Sequence, residues 1–325
     1  MATSASGLQV SSALSAFASG YTNGNFIADQ VCPVILHDGI KGTFHYGSRL
    51  DSASNYEDVT SDTSEPSAID YSDGTTAFVA IARSLMGWVP YSKIDNADDP
   101  LKPKEQHVAK IMLKLALAEE VRVAGILNAT GSYATANTSA AAALWSDEAS
   151  GNPVRDIQLM IRSIAPGMDG NSKTIMVLSL AVAQALSRHP SILSLRAGGG
   201  NTAGVVKMSE VASMFDGLDE IFVSDAEYLT SNRGQATTTY SKVWSATQAV
   251  MVRVPKVEPK GVNDQAMFAA RFRWSSASQV PLQVIEWDDP KRGPGKGSVG
   301  VKASHWTSVP TVIQSDMGYC LTTVL

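Results

Sequence analysis

The stretch from Asp99 to Gly131, DPLKPKEQHVAKIMLKLALAEEVRVAGILNATG, decides how the rest of this chain is read. Pro103 fits the first helical turn, where its missing N–H costs nothing. Glu105 suits the positive end of a helix. Asn128 and Gly131 are stop signals. A helix from about 103 to 128 would be roughly 39 Å long at 1.5 Å per residue. One apolar stripe is Val108, Ile111, Met112 and Leu115, and a second is Leu113, Leu117, Val121 and Ala124. Two stripes predict that the C-terminal half is buried on most sides. Such a helix is the spine of a larger structure.

Upstream, KGTFHYGSR (Lys41 to Arg49) and TTAFVAIARSLMGWVP (Thr75 to Pro90) read as two strands. Between them lie seven acids, Asp51, Glu57, Asp58, Asp62, Glu65, Asp70 and Asp73, and no Lys or Arg. The pattern is a long β-ribbon with an acidic tip. A two-stranded ribbon is marginal alone in water, so it is expected to lie on another surface. Before it, NFIADQVCPVI (Asn25 to Ile35) reads as extended, with Pro33 suited to an edge strand. Residues 1–24, rich in Ser, Ala, Gly and Thr, read as a flexible arm that orders only against something else.

Downstream the signals turn α/β. NPVRDIQLMIRSIAPG gives an amphipathic helix with Ile157, Met160, Ile161 and Ile164 on one face, ended by Pro166-Gly167. TIMVLSL, EIFVSD and SATQAVMVRVP read as strands. AVAQALSRHP and KMSEVASMF read as helices. QAMFAARFRW, PLQVIEW and the stretch from Ser298 to Leu325 are strand-rich.

Composition narrows the function. The 325 residues are 44% hydrophobic and only 18% charged, with a net charge of -5. Few charges fit a chain that hides surface in subunit contacts. The acidic balance argues against a general nucleic-acid binder. No apolar run is long enough for a bilayer span. The first Lys or Arg is Lys41, so the start is not a secretory signal, and a cytosolic site of assembly is expected. Cys32 and Cys320 form no CxxC or zinc spacing and are expected as free thiols.

Chemical motifs are sparse. Gly198-x-Gly200-x-x-Ala203 matches a loose dinucleotide fingerprint, but a helical stretch precedes it, and it reads as a glycine loop. GPGKGS (Gly293 to Ser298) lacks the order of a phosphate loop and reads as a basic turn. His37, His45, His107, His189 and His305 have no metal-site spacing. There is no G-x-S-x-G elbow. Glu119 and Glu120 are neighbours on a helix and point to different faces, and Glu119 with Arg122 reads as an ordinary i, i+3 ion pair. No catalytic, cofactor or metal residue is assigned. Apolar neighbours make Cys32 a packed, inert thiol. The charge runs have two readings. One is solvated surface. The other pairs Asp51, Glu57, Asp58, Asp62 and Glu65 of one subunit with Lys291, Arg292 and Lys296 of the next, where rim charges set register.

The order of arm, ribbon, long helix, α/β unit and strand-rich tail resembles the major capsid proteins of tailed bacteriophages, the α+β Hong Kong 97-type fold. IADQVCPVI looks like that family's arm, and LALAEEVRVAGILNATGSY like the end of its spine helix. LWSDEASGNPVRDIQLMI, TIMVLSLAVAQALSRHPSIL and MSEVASMFDGLDEIFVSDAEY look like its axial domain, and DMGYCLTTVL like its closing strand. The resemblance implies an N-terminal arm (1–37), an extended loop (38–95), a peripheral domain with the spine helix (96–151), an axial domain (152–255), and peripheral strands with the C-terminus (256–325). It implies a non-catalytic coat subunit without cofactor. Such a subunit assembles with itself into pentamers and hexamers of an icosahedral shell in the host bacterial cytoplasm and resides in the virion. Implied partners are a scaffolding protein, a portal, and a decoration or minor capsid protein. The enclosed DNA is held by confinement without specific binding, and no membrane is involved. Only about two dozen residues precede the arm, and Met1 favours a separate scaffolding protein over removal of a segment. An encapsulin-type compartment is the nearest alternative, and a soluble α/β enzyme a more distant one. Lys41 and Lys93 sit at the ribbon base and the tip has no lysine, so the shell is expected to be non-covalent. Denaturing electrophoresis of assembled particles should give a single subunit band, and a ladder of linked subunits would refute this.

Overall fold

A computed structural model describes residues 9–21, 23–47, 55, 58, 60, 65–68, 73–99, 101–166, 170–196, 204–231, 237–256, 266–275, 282–293 and 295–325. Its axis is one 27-residue helix, Leu101–Leu127. The two halves of this helix serve two different cores. The N-terminal half puts Val108, Ile111 and Leu115 against Val89, Val284, Val299, Val301 and Ala303. The C-terminal half puts Val123, Ala124 and Leu127 among Ile175, Val177, Val250, Val252 and Phe268. Leu113, expected in the second stripe, is instead exposed. The Tyr133 hydroxyl donates to the Leu127 carbonyl at 2.6 Å and satisfies one orphan acceptor at the helix end.

Among the described residues, the first core is backed by a seven-stranded sheet. Its long strand Ser298–Thr307 pairs antiparallel with Ile81–Pro90 on one side and Gln283–Asp289 on the other. From Val301 on, residues 301, 303, 305 and 307 are buried and alternate with less buried ones, as a pleat with one covered face requires. The uncovered face gathers four of the six tryptophans. Trp88 and Trp287 flank Gly300 and touch edge to face at 5.4 Å, and Trp274 and Trp306 do the same at 5.5 Å. A second, five-stranded sheet runs in the order Thr138–Ala140, Gly318–Thr322, Gln248–Pro255, Ser172–Ser179, Glu220–Ser224. Both of its faces are buried. Ile175, Val177, Val250 and Cys320 face the spine helix, whereas Met176, Leu178, Met251 and Tyr319 face the helices Pro153–Ser163, Leu180–Arg188, Pro190–Arg196 and Met208–Ser213. Burial on both faces explains why these strands read as unbroken apolar runs.

Five expectations change. The strand Gly318–Thr322 lies inside the five-stranded sheet, so the closing segment leaves the strands that precede it and crosses to the α/β unit. The run Thr75–Pro90 is two strands, not one. Asp73–Val79 pairs with Lys41–Gly47 as the ribbon, and after Ala80 the strand Ile81–Pro90 joins the seven-stranded sheet. The ribbon base also rests on its own chain, with Phe78 stacked on Phe272 at 4.1 Å and Phe44 at 5.3 Å. The arm is ordered by its own chain too. Gln9–Val10 pairs with Ile285 and Glu286, and helix Ser12–Ser19, capped by Ser11, buries Leu14 and Ala18 against the spine core. Finally, Asn25–Ile35 is not wholly extended: Ala28–Val31 is a helical turn, and only Val34–His37 is a strand, parallel to Arg271–Trp274.

Gly318 marks how tightly the closing strand is packed. A Cβ there would lie 2.5 Å from the Phe268 ring and 2.8 Å from Tyr133, two rings that stack on each other at 4.7 Å. Gly318→Ala should destabilise the subunit by about 1–3 kcal/mol. Urea unfolding of unassembled subunits checks it, and an unchanged midpoint would refute the packing.

Candidate subunit-contact site and the buried charge centre

The spine helix brings two adjacent carboxylates into the interior. Glu120 accepts from the backbone N–H groups of Ile27 and Ala28 (2.8 Å to the latter) and from Trp244 Nε1 at 2.6 Å. It thereby caps the short Ala28–Val31 turn, which is why that segment is helical. Burial pushes the Glu120 carboxyl up, while the bonds from Trp244, Ala28 and Ile27 oppose the shift.

Glu119, one residue along, meets Arg271. Arg271 is buried, and all of its guanidinium nitrogens are used. Nη1 donates to Glu119 Oε2 at 3.0 Å, Nε and Nη2 donate to the Cys32 carbonyl at 3.1 and 2.9 Å, and Nη2 also reaches Asp29. Burial works against the Arg271 charge, but Cys32, Glu119 and Asp29 more than offset it and its pKa moves up. Around the other oxygen, Glu119 Oε1, stand His305 Nε2 at 2.9 Å, Arg273 at 3.7 Å and Arg122 at 3.9 Å. Burial raises the Glu119 pKa, yet His305, Arg271 and Arg273 outweigh it and hold the carboxyl at about 2. Glu119 is therefore the hub of a five-residue charge cluster, not half of a simple helical ion pair. Arg271, Arg273 and His305 are far from it in sequence, and only the alternation of QAMFAARFRW, which places 271 and 273 on one face, hinted at the grouping.

This cluster performs no evident chemistry. A carboxylate held near 2 by cations is a poor base, and a guanidinium is not a proton donor at neutral pH. Burial pushes the Cys32 thiol up to about 11 despite Arg271, and Cys320 likewise to about 11. Both are buried free thiols and neither is an activated nucleophile. Among the described residues, no group of three or more His, Cys, Asp and Glu side chains could hold a metal, and no helix is long and apolar enough to cross a membrane.

The charged contact residues fall as follows. Asp51, Glu57 and Asp62 lie outside the described residues, and Asp58 and Glu65 are exposed. Lys291, Arg292 and Lys296 sit on an exposed turn that joins two strands of the seven-stranded sheet. Gly293, Gly295 and Gly297 all have positive φ there, and a Cβ on Gly297 would meet Asp289 O at 2.3 Å. The turn is partly engaged within its own chain. Lys296 pairs with Asp95 at 3.1 Å, and the Arg292 guanidinium lies 4.3 Å from the Trp88 ring centre. The glycine loop 197–203 lies outside the described residues.

Solved structures similar to this chain include phage capsids, a phage-related protein and a virus-like particle. A phage-related protein from Bordetella bronchiseptica RB50 matches with a TM-score of 0.72 at 16% identity, over 98% of each chain. The capsid of cyanophage P-SCSP1u matches at 0.55 and 11% identity, over 93% of this chain and 89% of that one. A virus-like particle from Pyrococcus furiosus matches at 0.50 and 10% identity, over 95% and 96%. No protein-family model and no curated protein matches the chain. The likeness establishes the fold, an α+β capsid fold spanning nearly the whole chain.

The Glu119 centre has a pH signature. A folded pKa of about 2 against an ordinary 4.5 adds stability on the order of 3 kcal/mol above pH 4.5. A depressed carboxyl loses that contribution as pH falls from 4.5 through 2. Glu119→Gln should therefore cost about 3–5 kcal/mol at neutral pH, because it strands Arg271. The gap from the parent should narrow below pH 4.5. Denaturant unfolding of unassembled subunits across pH 2.5–7 checks this, and a gap independent of pH would refute it.

Proposed function

We propose that this chain is the major capsid protein of a tailed bacteriophage, a Hong Kong 97-type coat subunit that self-assembles into the icosahedral shell around the genome. The observation that carries the reading is the match of whole-chain architecture to a phage-related protein over 98% of this chain and to a cyanophage capsid subunit over 93%. The molecule's surfaces support it. A sheet face bearing four tryptophans is only partly covered on the isolated chain, and Val79, Ile81 and Met86 are half-exposed along the ribbon and the strand it feeds. Apolar area of this kind marks contact surface. A shell is built from heterologous contacts that close into rings, and each subunit then covers its neighbour's open face.

In this reading the ribbon reaches an adjacent subunit, and the α/β unit on the five-stranded sheet packs about the shell's symmetry axes. The spine helix and seven-stranded sheet form the shell wall. The acids of segment 51–73 meet a basic surface of the neighbour, with Lys291, Arg292 and Lys296 on its rim. Scaffolding, portal and decoration proteins are the further partners, assembly occurs in the host cytoplasm, and the subunit has no catalytic role. The likeness to the Pyrococcus furiosus particle favours, as a second reading, an encapsulin-type compartment that encloses protein cargo.

Negative-stain electron microscopy and size-exclusion chromatography of the purified chain should show rings or closed shells. A small species that stays small under all assembly conditions would refute the shell reading. Particles isolated from the native source should contain DNA, and an enzyme in place of DNA would favour the compartment.

A further inference from the structure

The charge centre is not balanced. Four arginines, Arg83, Arg122, Arg271 and Arg273, and His305 gather on the spine-facing side of the seven-stranded sheet. Arg83 is the cross-strand partner of His305 and so shares its face. Among the described residues, only Glu119 and Asp29 pair with them, and Arg271 takes the best contacts of both. Arg122 and Arg273 are left with distant contacts to the same Glu119 oxygen, at 3.9 and 3.7 Å. Arg83 forms no ion pair with a described residue. The Nε atoms of Arg83 and Arg273 are buried without a hydrogen-bond partner. Burial and the nearby Arg83 pull the Arg122 pKa down to about 10, as repulsion between unneutralised cations would. A guanidinium with a buried, unmet N–H is costly, and an anion placed among these three would relieve it by forked, charge-assisted bonds.

We propose that Arg83, Arg122 and Arg273 form an anion seat that receives carboxylates of segment 51–73 from a second copy of this chain. The proposal rests on the shell reading above and gives the acidic segment a better-defined seat than the turn at 291–296, where Lys296 and Arg292 already have partners. Three observations select this occupant. The segment holds seven acids and no base. The seat is flanked by exposed apolar side chains on the same strand face, Ile81 and Leu85, and the segment carries Tyr56, Val59, Ile69 and Tyr71 among its acids. A phosphate backbone offers no such apolar match. Within its own chain, the strand pair that bears the segment runs seven residues from Lys41 and Val79 to Gly47 and Asp73, on the order of 23 Å. Arg83 lies beyond the base of that pair, in the other sheet.

The test uses unassembled full-length subunits and a fluorescent synthetic peptide of residues 51–73, read by anisotropy at low and high salt. Wild-type subunits should bind the peptide, and binding should weaken with salt. Arg83→Gln with Arg122→Gln should weaken it about tenfold or more, and Lys291→Ser with Lys296→Ser should weaken it less. Thermal unfolding confirms that each variant is folded, and Arg83→Gln alone, on an edge strand, serves if the double variant is not. Equal binding by the arginine variants would overturn the seat, as would preferential binding of a DNA oligonucleotide of equal charge. Particles that form while the arginine changes leave peptide binding untouched would keep the shell and remove the seat. Salt-sensitive, arginine-dependent binding by subunits that never form particles would support the seat and remove the shell.

Discussion

The hold of Arg271 on Glu119 through one N–H and on the Cys32 carbonyl through two is the contact through which the rest of the structure is connected. It joins three segments distant in sequence: the arm, the spine helix and the strand Ala269–Trp274. A buried guanidinium cannot be left without partners, so the arm can dock only where its carbonyl meets that group. Glu120 repeats the constraint from the next position on the helix by capping the arm's single turn. Two acidic residues in the middle of an apolar helix thus fix the path of the first forty residues. A packed hydrocarbon contact would be as strong but less directional.

The spine helix explains why one chain carries two sheets without falling into two independent domains. Its N-terminal half completes the core of the seven-stranded sheet and its C-terminal half that of the five-stranded sheet. The closing strand Gly318–Thr322 then crosses back into the five-stranded sheet. The termini of the fold are therefore tied into opposite cores, so bending one unit relative to the other strains a continuous helix. That stiffness suits a wall element. In the proposed shell, the edges of the seven-stranded sheet, its tryptophan face and the ribbon are the parts a neighbouring subunit would cover.

The sequence by itself determined the elements whose signal is periodic. The spine helix, the helix at 153–163, the ribbon strands and the apolar strands of the α/β unit follow from spacing, because burial of one face or of both is written directly into alternation or the 3.6-residue repeat. The fold class was legible through the resemblance carried by the order of these elements, and the inert character of Cys32 through its apolar neighbours. Only the tertiary structure decided what those elements meet. Glu119 looked like half of an ordinary helical ion pair with Arg122, and Glu120 like its neighbour on another face, because a helix sequence does not show that Arg271 and Trp244 wait at 119 and 120. The arm looked flexible because Leu14 and Ala18 are small apolar signals that gain value only against the spine core. Ala80 looked like the interior of one strand, although the chain changes sheets there, and Gly318–Thr322 looked like the end of a β tail. Partner choice is a property of long-range contacts, and a one-dimensional pattern specifies which face is buried but not which surface buries it.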